Sequence, residues 1–83
     1  MKTIVLTHRA AKELDNLPED GRLAVTSALS DYTVNGGGDV KALAGRAGNR
    51  LRVGRYRVIF ADDGVTILAV YIGKRETTTY RRN

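Results

Sequence analysis

Hydrophobic and polar positions recur with two different periods along this 83-residue chain. The opening run KTIVLT is short, apolar and β-branched, which predicts a first strand over Lys2 to Leu6. The period then lengthens. Ala10, Leu14 and Leu17 stand at i, i+4 and i+7, the apolar stripe of a helix over His8 to Asn16, with Thr7 placed to cap it. Pro18 ends that helix and opens a second one, from Pro18 or Glu19 to Thr33, with Val25, Ala28, Leu29 and Tyr32 on one side. Acidic residues in its first turn suit the positive end of the helix dipole. The pair makes an αα-hairpin with one narrow apolar side.

Three successive glycines in NGGGD stop regular structure, because glycine loses the most conformational freedom on ordering. The following VKALAGRAG is predicted as an irregular or short helical connector, with Leu43 as its anchor in the core. A period of two then takes over, predicting strands at Asn49 to Val53, Tyr56 to Ala61 and Val65 to Ile72. The expected order is β-α-α-β-β-β. This is a single α+β domain over residues 1–83, an antiparallel sheet with the helical hairpin packed on one face.

Turn chemistry sets the register of the last three strands. Gly54-Arg55 fits a two-residue hairpin loop with glycine first, which places Arg52 opposite Arg57 and Leu51 opposite Val58. Leu51, Val53, Tyr56, Val58 and Phe60 then share one face, and Arg50, Arg52 and Arg57 share the other. For ADDGV a three-residue loop with Gly64 left-handed is favoured, because it puts Leu68, Val70 and Ile72 on the apolar face. Ile67, Ala69, Tyr71 and Arg75 then join the arginines. A two-residue loop at Asp63-Gly64 would flip that strand.

A chain of this length buries only about 60 to 65% of the surface it exposes unfolded, so its core is modest. It has no cysteine and one histidine, His8, which excludes a disulfide scaffold, cysteine zinc sites and a histidine-rich metal site. No apolar run is long enough to span a bilayer and MKTIVLT is short for a signal peptide, so a soluble, cytoplasmic protein with no membrane partner is expected. The net charge is +5, but it is unevenly placed. Residues 1–49 carry six basic and six acidic side chains, whereas residues 50–83 carry eight basic against Asp62, Asp63 and Glu76. The whole excess lies in the last two-fifths of the chain. It points to a polyanionic partner, either nucleic acid or an acidic protein segment.

The candidate chemistry narrows by residue type. His8 sits at a helix start away from the arginine face, Asp62 and Asp63 belong to a turn, and Glu76 stands alone. The glycines at 36–38 lack the lysine and helix of a phosphate-binding loop. Arginine, Lys74 and tyrosine remain. Arg52 opposite Arg57 is a like-charge pair, which a solvated surface would tolerate and a bound anion would relieve, and the planar fork of arginine suits phosphate. Arg52, Lys74, Tyr71, Arg81 and Arg82 are therefore candidate RNA or phosphate contacts, Tyr71 by stacking on an unpaired base. No cofactor or metal is expected.

The sequence also resembles a known family. The hairpin start AAKELDNLP, the block LAGRAGNRLRVGRYRVIF and the ending VYIGKRETTTY are similar to the RelE/ParE superfamily of toxins from type II toxin–antitoxin pairs. GKR at 73–75 followed by Tyr80 looks more like the RelE branch, ribosome-dependent messenger-RNA endonucleases, than the ParE branch, which poisons DNA gyrase. The resemblance implies Arg57 beside the scissile phosphate, Arg75 at the leaving oxygen, Arg50 at the edge of the site and Tyr80 orienting or stacking on the substrate. It also implies a cognate antitoxin encoded nearby, a toxin–antitoxin hetero-oligomer, and the ribosome and its message as partners, with gyrase as the alternative. In such chemistry the ribose 2′-hydroxyl attacks the adjacent phosphate. Arginine is a poor base because its pKa exceeds about 12, so Arg57 and Arg75 are expected to act by electrostatics. Lys74, Tyr80 or the ribosome itself remain open as the proton acceptor, and a simple RNA-binding domain remains open as a third reading.

Overall fold

The computed structural model describes residues 2–43, 45 and 47–74. Its elements are β1 (Thr3–Leu6), α1 (His8–Asp15), α2 (Glu19–Asn35), β2 (Asp39–Ala42), β3 (Asn49–Val53), β4 (Tyr56–Asp62) and β5 (Thr66–Lys74). The α+β class and the helical hairpin on one face are as expected. The sheet has five strands in the order β1-β5-β4-β3-β2. β1 runs parallel to β5, and the other neighbours are antiparallel.

Thr7 turns the chain from strand to helix. Its amide donates to the Ala69 carbonyl at 3.0 Å, closing the pairing of β1, and its Oγ1 accepts from the Ala10 amide at 3.1 Å. One residue thus ends a strand and caps a helix. α2 runs two residues past the expected Thr33 and ends at Gly36, whose φ of 71° supplies the left-handed cap and whose amide reaches the Tyr32 carbonyl at 2.9 Å. α1 packs on β1 and β5, while α2 lies on β4 and touches β1 and β3. Ala10, Val25 and Leu29 meet Leu51, Tyr56, Val58, Phe60, Ile67, Ala69 and Ile72 in one buried cluster. Tyr32 closes its side by an edge-on contact with Phe60, centroids 5.2 Å apart.

Two expectations are corrected. Residues 39–42 of the supposed connector form an edge strand paired to β3, and Val40 rather than Leu43 packs against the core. Lysine and alanine are poor strand formers, so β2 is held by its partner and not by propensity. The register of β5 also differs. The turn holds four residues, Asp63 to Thr66, with Asp62 opposite Ile67. The Asp63 carboxylate accepts from the Val65 and Thr66 amides at 2.9 and 2.7 Å, which shapes this longer turn. Ile67 and Ala69 therefore face the helices fully buried, and Leu68 and Val70 face outward at 37% exposure each. Phe60 pairs with Ala69 but Ile59 with Tyr71, so Val70 is the extra residue of a β-bulge. The bulge restores parity. Tyr71 returns to the arginine face and Ile72 to the core, as expected.

Candidate active site

The hairpin register is the expected one, with Val53 opposite Tyr56, Arg52 opposite Arg57 and Arg50 opposite Ile59. Because side chains alternate across a strand, Arg50, Arg52, Arg57, Ile59 and Tyr71 share the face away from the helices. The three arginines are not equivalent there. Arg52 Nε is 2.6 Å from Asp39 Oδ2 on the edge strand, which relieves its repulsion with Arg57 and holds the Asp39 carboxyl below its ordinary value. Arg50 and Arg57 are half-buried, and the Nε of each is shielded from water with no hydrogen-bond partner among the described residues. An unpaired buried donor is unfavourable by about 1–3 kcal/mol, and more when charged. Each is a donor on the arginine face that an anion would satisfy.

Arg57 also lines an open cleft of about 430 Å³ with Ile59, Val70, Tyr71 and Arg9. Its floor is apolar, from Ile59 and Val70. Gly73, opposite Arg57, carries no side chain, and a methyl group there would collide with the Tyr71 ring, its Cζ 2.7 Å away. The Tyr71 ring consequently lies along the strand toward the cross-strand partner of Arg57. Arg9 was not singled out from the sequence. It reaches the cleft because β1 ends at Leu6 and α1 occupies the side of β5 beyond it, a consequence of sheet order that no local motif signals.

Lys74 pairs with Tyr56, whose side chain is buried toward the helices, so Lys74 stands on the other face from the arginines. Arg75, Tyr80, Arg81 and Arg82 lie outside the described residues. His8 is exposed at the start of α1, and Asp62 is occupied by Lys2, Tyr32 and the Gly64 amide at 2.6, 2.8 and 2.9 Å. Among the described residues no three His, Cys, Asp or Glu side chains group as a metal site, and no helix is long and apolar enough to cross a membrane.

No protein-family model and no curated protein matches the sequence. Solved structures do. The chain superposes on a toxin–antitoxin complex, RelBE2, from Mycobacterium tuberculosis with a TM-score of 0.77 and 25% identity, covering 89% of this chain and 98% of that one. It superposes on an archaeal RelE–RelB complex from Pyrococcus horikoshii with a TM-score of 0.74 and 21% identity, covering 93% and 98%. A RelB–RelE antitoxin–toxin complex from Methanococcus jannaschii gives 0.72 and 21%, covering 84% and 88%. The fold is that of the RelE toxins. Within the RelE fold of this chain, the outer sheet face carries the arginines and the helical hairpin covers the other, so the basic cleft is separated from the core by one layer of strands.

Proposed function

We propose that this chain is the toxin of a type II toxin–antitoxin pair and a messenger-RNA endonuclease that acts in the ribosomal A site. The observation that carries this reading is Arg57: half-buried on the cleft, its Nε without a partner, in the position that the RelE resemblance assigns to the scissile phosphate. In the reaction the 2′-hydroxyl attacks phosphorus, a five-coordinate dianionic centre forms, and the 5′ oxygen leaves to give a 2′,3′-cyclic phosphate. Arg57 stabilises the added charge at that centre, and a preorganised donor of this kind contributes roughly 10² to 10³ in rate. Arg50 extends the positive field from β3. Arg75 and Tyr80 take the leaving oxygen and the substrate base in the same reading. Antitoxin partners appear in the RelE–RelB complexes named above, and for this chain we place a cognate antitoxin on the basic face, in the cytoplasm where ribosomes are. The gyrase alternative draws no support from these structures.

Purified translation with defined message is the test. Wild type should cut translated message, Arg57→Ala should lose on the order of 10²-fold while keeping its fold, and coexpressed antitoxin should suppress the activity. Intact message at growth-inhibiting concentrations would overturn the endonuclease reading.

A further inference from the structure

Arg9 and Glu13 form a device beside Arg57 that the reaction as described does not use. The Arg9 guanidinium lies over the Tyr71 ring at 5.3 Å from its centroid, and its side chain is 70% exposed. Its Nε is 3.0 Å from Glu13 Oε2 one helical turn on. The other carboxylate oxygen, Glu13 Oε1, accepts from the Ile72 amide at 2.9 Å. That amide lies where β1 has already ended, so Glu13 ties α1 to the free side of β5 and fixes the base of Arg9 next to the residue that follows Tyr71.

An exposed cation over an aromatic face contributes only about 0.5–1 kcal/mol. The guanidinium is thus a weakly held occupant of a surface that a nucleobase would fill well. Ile59 and Val70 give the adjoining floor an apolar character suited to a flat ring, and Arg57 waits at its edge for the phosphate. The polar character of Arg9 matches the same ligand, since arginine stacks on bases as well as pairing with phosphate.

We propose that Tyr71 and Arg9 form a base clamp: Tyr71 is the platform for one unpaired nucleobase of the message, Arg9 is its movable cover, and Glu13 is the positioning residue that tethers the cover. The clamp rests on the endonuclease reading and adds to it the grip on the base flanking the cut. Arriving RNA displaces the guanidinium from the ring, the base takes the vacated face, and Arg9 closes over it.

Single-turnover cleavage on ribosomes programmed with two messages tests this. One message is intact, and the other carries a single abasic ribose, placed in turn on either side of the cut. For one of the two placements, wild type should cleave the intact message about tenfold faster than the abasic one. Tyr71→Leu and Arg9→Gln should each abolish the preference for the intact message, while Tyr71→Phe keeps the wild-type preference. If wild type cuts both messages alike in both placements, the clamp is overturned and the endonuclease reading stands. If Arg9→Gln slows both messages equally, Arg9 does not cover a base. If wild type cuts neither, the endonuclease reading fails and the clamp with it.

Discussion

The ring of Tyr71 lies across Gly73, and Gly73 is the residue that pairs with Arg57. The contact links a motif glycine to the placement of an aromatic side chain on the arginine face. Gly73 has an extended backbone that alanine adopts freely, and the nearest obstacle to a side chain there is the Tyr71 ring. Gly73→Ala should leave the fold intact, or stabilise it by about 0.4–1 kcal/mol through the unfolded chain. The methyl group should nonetheless push the ring off the strand and reduce message cleavage about tenfold, because the stacking surface is lost. Thermal unfolding and cleavage rate measured on the same variant check the two halves of this expectation. Full activity would show that the position of the ring is immaterial.

Gly21 makes the opposite case. It lies inside α2, where alanine ordinarily gains about 1 kcal/mol over glycine. A methyl group here would stand 2.7 Å from the Tyr56 ring, and Tyr56 is buried at 8% exposure beneath the helix. The ring is packed into the buried cluster, so overpacking at about 1–3 kcal/mol should outweigh the propensity gain. Gly21→Ala should therefore lower the unfolding midpoint in denaturant, and a raised midpoint would mean that the helix shifts at no cost.

These two glycines also mark what the sequence could reveal. The arginine face was legible because Gly54 fixes a hairpin register that puts Leu51, Val53, Tyr56, Val58 and Phe60 together on the other face. The faces of Leu68 and Val70 were not, because the four-residue turn and the bulge at Val70 each change parity, and their effects cancel only from Tyr71 onward. Apolar composition cannot reveal this, since both alternatives bury comparable side chains. β2 was hidden for another reason: its order comes from β3 and from the Asp39–Arg52 pair, which are contacts made across the loop. Arg9 reaches the cleft only because β1 is short and lies next to β5, a nonlocal fact.

Asp62 offers a pH test. Hydrogen bonds from Lys2, from the Gly64 amide and from Tyr32 lower its pKa from the ordinary 3.8 to about 2. A depressed carboxyl pKa means that the folded state binds its proton less readily than the unfolded chain. The stability from this cluster is therefore fully present above pH 3.8 and is lost as pH falls through about 2. Melting temperature should drop across that window in the wild type. Asp62→Asn should start lower at neutral pH and show a shallower acid decline. Lys2, whose pKa the same contact raises above 10.5, adds a second loss at the alkaline end as pH rises beyond that value.

The last expectation concerns Arg52, the arginine whose charge is already engaged. Asp39 lies 2.6 Å from its Nε on an exposed edge strand, so the carboxylate competes with any polyanion for that guanidinium. Asp39→Asn removes the competitor and one negative charge while keeping the size of the side chain. The variant should elute later from immobilised heparin, and the salt dependence of its binding should steepen by about one released counterion. Arg52→Gln in the same background should reverse the gain, because the freed charge is then absent. Arg57→Gln in the Asp39→Asn background should weaken binding without abolishing the gain, since Arg57 does not touch Asp39. If Asp39→Asn elutes with the wild type, Arg52 makes no phosphate contact, and the anion site among the described residues reduces to Arg50 and Arg57, whose Nε atoms are buried there without a partner.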